Sequence, residues 1–122
     1  MRKGKIMATP ITTVELAGRT SSGIATQIVD VRRKVVFDAA AEVIRDSCRR
    51  DPDEVFAWKH DLNRTIPIAV YCVYGHQVSQ DIADALTISG FNVRYLEGGI
   101  AKWASEGRPQ EAKSPESSSC NG

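Results

Sequence analysis

One stretch of the 122-residue chain brings a thiol, an imidazole and a hydroxyl together: Tyr71-Cys72-Val73-Tyr74-Gly75-His76-Gln77-Val78-Ser79. It follows the apolar run Ile66 to Tyr71 and leads into Val78, Ile82, Ala85 and Leu86, which recur at helical spacing. A short loop between a strand end and a helix start turns successive backbone N–H groups into one concavity, and the helix dipole adds positive potential there. That potential stabilises a thiolate at Cys72, and the thiolate is the nucleophilic form of cysteine. Gly75 suits a loop that needs unusual dihedrals. The plainer reading makes Cys72 a buried strand-end residue and Gly75 a turn. Spacing alone leaves the two level, because one Cys and one Gly are a weak signal.

Composition narrows the alternatives. His60 and His76 are not spaced from any cysteine as a structural zinc site requires, so no metal is expected. Cys48, Cys72 and Cys120 are an odd number without a C-x-x-C pair, a poor basis for a disulfide framework. Lys and Arg total 16 against 15 Asp and Glu, a net charge of +1, which gives no support to nucleic-acid or membrane-surface binding. The longest apolar run, Ile66 to Tyr74, contains Pro67 and falls far short of the roughly 20 residues of a membrane helix. Met1-Arg2-Lys3-Gly4-Lys5 is basic, but no apolar stretch follows it. A secretory signal is not expected, and the reading is cytoplasmic.

The elements that must hold Cys72 alternate between extended and helical patterns. Thr12-Thr13-Val14-Glu15 fits a capping box, with a short helix expected to about Arg19. Ile24 to Val31 reads as a strand, and Phe37, Ala40, Ala41 and Ile44 as one helical face. Asp51-Pro52-Asp53-Glu54 is a helix start, followed by Val55, Trp58 and Leu62 as a buried stripe. Ile66 to Tyr71 reads as a strand covered on both faces, and Gly90 as the end of the helix after the Cys72 loop. Asn92 to Leu96 is another strand, Gly98-Gly99 a turn, and Ile100 to Glu106 a helix with Trp103 inward. Such alternation means a parallel sheet with helices on its faces, where ligands bind beyond the carboxyl ends of the strands. Residues 1–10 read as a flexible segment and 11–108 as one domain. Residues 109–122, rich in Ser, Pro and Glu, read as a disordered tail carrying Cys120.

Three stretches stand in the order seen in the rhodanese (sulfurtransferase) family: Ile28-Val29-Asp30-Val31-Arg32, the Cys72 loop, and Gly90 to Trp103 with its Leu96-Glu97-Gly98-Gly99. The chain resembles that family from about Ile11 to Arg108. The resemblance implies an α/β, rhodanese-like three-layer domain with a five-stranded, mostly parallel sheet flanked by helices on both faces. Cys72 then matches the persulfide-forming nucleophile, and Val73, Tyr74, Gly75, His76, Gln77 and Val78 the substrate cradle. Asp30, Arg32 and Ser79 support it, the first two by pinning neighbouring loops and Ser79 first as a helix cap, second as a substrate donor. His76 is either a donor to a bound oxyanion or a solvent-facing residue. The implied activity moves a sulfane sulfur from a donor such as thiosulfate to cyanide or a thiol, the latter small or carried by an acceptor protein. No metal or organic cofactor is needed, and a monomer or weak dimer is expected.

Two departures from the family pattern keep rivals open. Counted back from Gly90-Phe91, the loop has one residue more than the usual six. It is either a seven-residue cradle, Cys72 to Val78, or a normal loop with an insertion at the helix start. Seven-residue loops in this superfamily resemble dual-specificity phosphatases and arsenate reductases, but those carry Arg as the seventh residue and this chain has Val78. Oxyanion (arsenate or chromate) reduction, phosphate-ester hydrolysis and a non-catalytic sulfur-relay module are therefore alternatives. The second departure is the absence of the Gly-His-Ile stretch expected after the second helix. Arg45, Arg49 and Arg50 in that region read first as a solvated face and second as a source of positive charge. Cys48 reads as an incidental thiol ahead of a resolving partner for a persulfide. Gly-His-Gln-Val-Ser in the loop resembles the small rhodaneses found among bacterial chromate-resistance proteins.

Overall fold

The structure, a computed structural model, describes residues 8–113. In chain order the elements are β1 (Thr9–Ile11), α1 (Thr13–Ser21), β2 (Gln27–Asp30), α2 (Lys34–Ala39), β3 (Glu42–Ile44), β4 (Cys48–Arg49), α3 (Val55–Trp58), β5 (Ile68–Tyr71), α4 (Gln77–Ile88), β6 (Val93–Leu96), α5 (Gly99–Ser105) and β7 (Gln110–Ala112). One sheet runs in the order β1-β6-β5-β2-β4 with every pairing parallel, so the expected mostly parallel sheet is parallel throughout.

Alternation along the strands assigns the two faces. Ile68 and Val70 of β5 join Val29, Trp58, Ile82, Leu86 and Val93 on the side of α3 and α4. Ala69 and Tyr71 join Ile28, Leu16, Ile100 and Trp103 on the side of α1 and α5. No β5 side chain is more than 2% exposed, which is why the strand reads as an unbroken apolar run. Continued by one residue, the same alternation aims Cys72 at α4.

The chain leaves the carboxyl end of β2 toward the β4 edge and leaves β5 in the opposite sense, toward β6. The crevice between the ends of β2 and β5 is therefore the topological switch point, the place where parallel α/β sheets bind ligands. Asp30 at the end of β2 sits in register with Tyr71 at the end of β5.

Local signals worked where the partners were near in sequence. Thr12 caps α1, its hydroxyl accepting from Glu15 N at 3.0 Å, and the helix runs to Ser21. The reciprocal half of the capping box does not form, because the Glu15 carboxylate takes two bonds from Arg94 instead. Asp51 caps the 3₁₀ turn Pro52–Glu54 as expected, but α3 ends at Trp58 and Leu62 lies beyond a second 3₁₀ turn.

Two expectations need correction. The helical face drawn through Phe37, Ala40, Ala41 and Ile44 holds only at Phe37. Beyond Ala39 the chain is extended, and Glu42–Ile44 pairs antiparallel with Gln110–Ala112. The boundaries of 11–108 also widen, since Thr9 and Pro10 pair with β6 and Gln110–Ala112 forms β7. Trp103 ties the second extension down, its indole N–H donating to Pro109 O at 2.8 Å. The remainder of the expected flexible ends, with Cys120, lies outside the described residues. Among the described residues no helix is long and apolar enough to cross a membrane.

Candidate functional site

Cys72 begins the turn from β5 into α4 and is 7% exposed. Two carbonyls anchor this turn. Ile100 N donates to Cys72 O at 3.0 Å and Ala101 N to Val73 O at 2.9 Å, so the first turn of α5 holds the loop from behind. The described chain has no cis peptide, and in a trans peptide N–H and C=O point opposite ways. The N–H groups of Val73 and Tyr74 therefore point away from α5. Among the described residues no protein acceptor takes the N–H groups of Val73 to Val78. The result is a run of free donors following Cys72 in the chain, at the N-terminus of a 12-residue helix.

Glycine makes the close approach feasible. A Cβ on Gly75 (φ +75°) would lie 2.6 Å from Leu96 O, and one on Gly99 (φ +62°) 2.3 Å from Val73 O. Gly98, with φ +81°, turns the chain into α5. The Gly98-Gly99 pair thus does more than turn the chain, because it lets α5 reach the back of the Cys72 loop.

Ser79 lies behind the sulfur. It is fully buried, and the Cys72 thiol donates to its Oγ at 3.2 Å. It is the third residue of α4, so the cap role expected for it is not filled; His76 occupies that position and makes no side-chain cap bond. With Cys72 ionised, the Ser79 hydroxyl can rotate to donate to the thiolate. Ser79→Ala is therefore expected to slow alkylation of Cys72 by iodoacetamide at neutral pH about three- to tenfold, the scale of one hydrogen bond to a charged group. Stopped alkylation followed by mass analysis measures this, and an unchanged rate would remove Ser79 from the site.

Asp30 and Arg32 form the floor between β2 and β5. Arg32 Nε and Nη2 reach both carboxylate oxygens of Asp30 at 2.7 to 3.1 Å, and Nη2 also donates to Glu42 O. Burial opposes the Arg32 charge, but the bonded Asp30 more than offsets it and raises the guanidinium above its ordinary value. The Tyr71 hydroxyl donates to Asp30 Oδ2 at 3.0 Å, accepts from Ile44 N and contacts Ser47 Oγ. Burial first, and the nearby Asp30 charge second, push the phenol well above its usual range, so Tyr71 stays neutral. Tyr71→Phe takes the phenol away from the buried Ile44 N and Ser47 Oγ, while Asp30 Oδ2 keeps its two bonds from Arg32, and should cost about 1–3 kcal/mol in a urea unfolding experiment. A loss under about 0.5 kcal/mol would mean that these partners re-pair without the phenol.

A cavity of about 300 Å³ opens over Cys72, lined by Arg32, Arg33, Val36, Val73, Tyr74, His76, Gln77 and Val78. Every expected cradle residue except Gly75 reaches its wall; Gly75 packs at the back instead. Tyr74 and His76 are exposed, their ring centroids 6.1 Å apart, and Gln77 donates to Asp81. The arginines read from the divergent connection lie elsewhere. Arg45 lines a separate groove with Trp103 and Arg108, Arg49 donates to Arg32 O, and Arg50 pairs with Asp61. Cys48 faces Val29 across the β4–β2 pairing, two strands from β5 and about 10 Å away in the sheet. Arg33 and Val36 were missed by sequence reasoning. Their only signal was position, directly after the strand end that shares the switch point with Cys72.

A cysteine followed by free backbone donors at this crevice, on a five-stranded parallel sheet covered on both faces, places the chain among α/β proteins with a strand-to-helix cysteine loop. The rhodanese-like domain family matches residues 12–106, and the chain belongs to that family. A rhodanese-related protein from Thermoplasma volcanium is similar at 25% identity, with 84% of this chain and 97% of that one covered and a TM-score of 0.72. A rhodanese-like domain protein from Staphylococcus aureus is similar at 27% identity, covering 87% and 99%, with a TM-score of 0.74. A Rhodopseudomonas palustris protein of unknown function, described as a possible tyrosine phosphatase, shares the fold at 22% identity, covering 85% of each chain, with a TM-score of 0.72. No curated protein matches the chain.

Proposed function

We propose that the protein is a sulfurtransferase that carries a sulfane sulfur on Cys72. The observation behind this reading is the run of free N–H groups from Val73 to Val78 beside a cysteine at the end of β5. The Cys72 thiolate attacks the outer sulfur of a donor such as thiosulfate. A new S–S bond forms as the bond to the sulfite sulfur breaks, and sulfite leaves with the electron pair. The thiolate of an acceptor, or cyanide, then attacks the outer persulfide sulfur and releases the Cys72 thiolate. No net oxidation of the protein occurs, and one difficult transfer becomes two easier ones. The loop donors serve successive anions: the thiolate, the donor's oxyanion end and the terminal persulfide sulfur.

Hydrolysis of a phosphate ester or reduction of arsenate or chromate in the same cradle lacks a charge clamp within the loop. The seventh position, Val78, is an apolar residue inside α4. Sulfur transfer makes less demand on such a clamp, since the displaced group departs as sulfite and the retained sulfur carries one charge. Steady-state assays with thiosulfate and a thiol or cyanide acceptor test the reading. Parallel double-reciprocal lines are expected from a ping-pong sequence. Reactive Cys72 without turnover would favour a relay module charged only by a partner protein.

A further inference from the structure

The Cys72 loop contains no Lys or Arg, so a permanent cation acting on a ligand there must come from another element. Two line the cavity, Arg32 and Arg33, both from the end of β2. Arg32 is 4% exposed and committed to Asp30 and Glu42 O. Arg33, at the N-cap of α2, has a side chain 61% exposed, and its ion pair with Asp53 spans 3.7 Å to a carboxylate that is itself 79% exposed. A surface pair of that kind holds a side chain loosely. Val36, Val73 and Val78 present hydrocarbon to the same space. A cavity of about 300 Å³ keeps its wall groups within roughly one Debye length, about 8 Å at physiological salt.

We infer that Arg33 is the specificity-determining cation of this site, drawing the oxyanion end of an anionic ligand toward Cys72, and that Asp53 competes with the ligand for it. For the donor's identity this rests on the sulfurtransferase reading; the charge preference belongs to the site itself. The two therefore fail separately.

Iodoacetate and iodoacetamide are near-isosteric alkylating probes that differ by one negative charge, and peptide mass mapping restricts the readout to Cys72. Arg33→Gln should lower the ratio of iodoacetate to iodoacetamide rates about three- to tenfold, and Asp53→Asn should raise it about twofold. Both effects should shrink on going from about 50 mM to about 500 mM salt. The value of kcat/KM for thiosulfate should move in the same two directions. Opposite shifts in the two variants are not produced by a merely structural role, and both side chains are exposed enough for the fold to survive their loss. Alkylation ratios that stay within a factor of about 1.5 of wild type in both variants would overturn the inference. Opposite shifts in the ratio without thiosulfate turnover in any of the three proteins would support the charge preference and overturn the sulfurtransferase reading.

Discussion

Serine at position 72 should reduce thiosulfate-dependent sulfur transfer by at least about three orders of magnitude while leaving the fold in place. The loss follows from chemistry more than from packing. A serine hydroxyl is a poor nucleophile toward sulfur at neutral pH, and an O–S linkage offers an acceptor no equivalent of a persulfide. Packing changes little, because Cys72 stands at the end of β5 with a short side chain, and a serine hydroxyl can still reach Ser79. A thermal midpoint within a few degrees of wild type is expected, since the change in stability stays within about 1 kcal/mol. Kinetics and far-UV circular dichroism on the same preparation separate the two effects. Turnover retained by Cys72→Ser would sink the assignment of the nucleophile.

The second large effect lies at the back of the loop. Gly99→Ala puts a methyl group where the nearest atoms would be Val73 O at 2.3 Å and Cys72 O at 2.5 Å, both backbone and neither free to rotate away. Either α5 or the loop must move, and the bonds from Ile100 N and Ala101 N stretch or break. Two weakened bonds, the left-handed backbone (φ +62°) and the overpacking together should cost about 2–4 kcal/mol. Displacement of the carbonyls also turns the Val73 and Tyr74 amides away from the sulfur, so turnover should fall about tenfold or more. Gly23→Ala is the matched control. Its φ is +71°, but nothing lies within 4 Å of the added Cβ, so only the backbone strain of about 1–2 kcal/mol applies and turnover holds. Equal losses in the two variants would show that α5 does not position the loop.

The difference between Gly99 and Gly23 also shows what the sequence made legible. Left-handed turns are local, and Gly98-Gly99 reads as one from the sequence. That Gly99 lets α5 support the Cys72 loop depends on contacts between residues distant in the chain. The strands behaved likewise. The unbroken apolar run from Ile66 to Tyr71 sufficed to read β5 as covered on both faces, because burial on two faces leaves its mark in every residue; that Cys72 faces α4 follows only from the packing. Ile44 carried no such mark. Its spacing from Phe37 mimics a helix, while the partner that keeps it extended, Gln110, lies far along the chain in a stretch that reads as polar tail. Glu15 is the same lesson in a side chain: a capping-box carboxylate by its neighbours, an Arg94 partner in the fold. At the site, Cys72 and its loop were legible through motif and position. Arg33 was not, since only the pairing of β2 with β5 brings it to the cavity.

The central claim is that Cys72 accepts a sulfur atom from a sulfane donor. The most direct test is the intact mass of wild type and Cys72→Ser after incubation with thiosulfate under non-reducing conditions. A gain of one sulfur atom in the wild type, absent from the variant and reversed by cyanide, is the predicted result. No gain in wild-type protein whose Cys72 still alkylates readily would contradict transfer from thiosulfate and turn attention to a protein-bound donor or to another oxyanion.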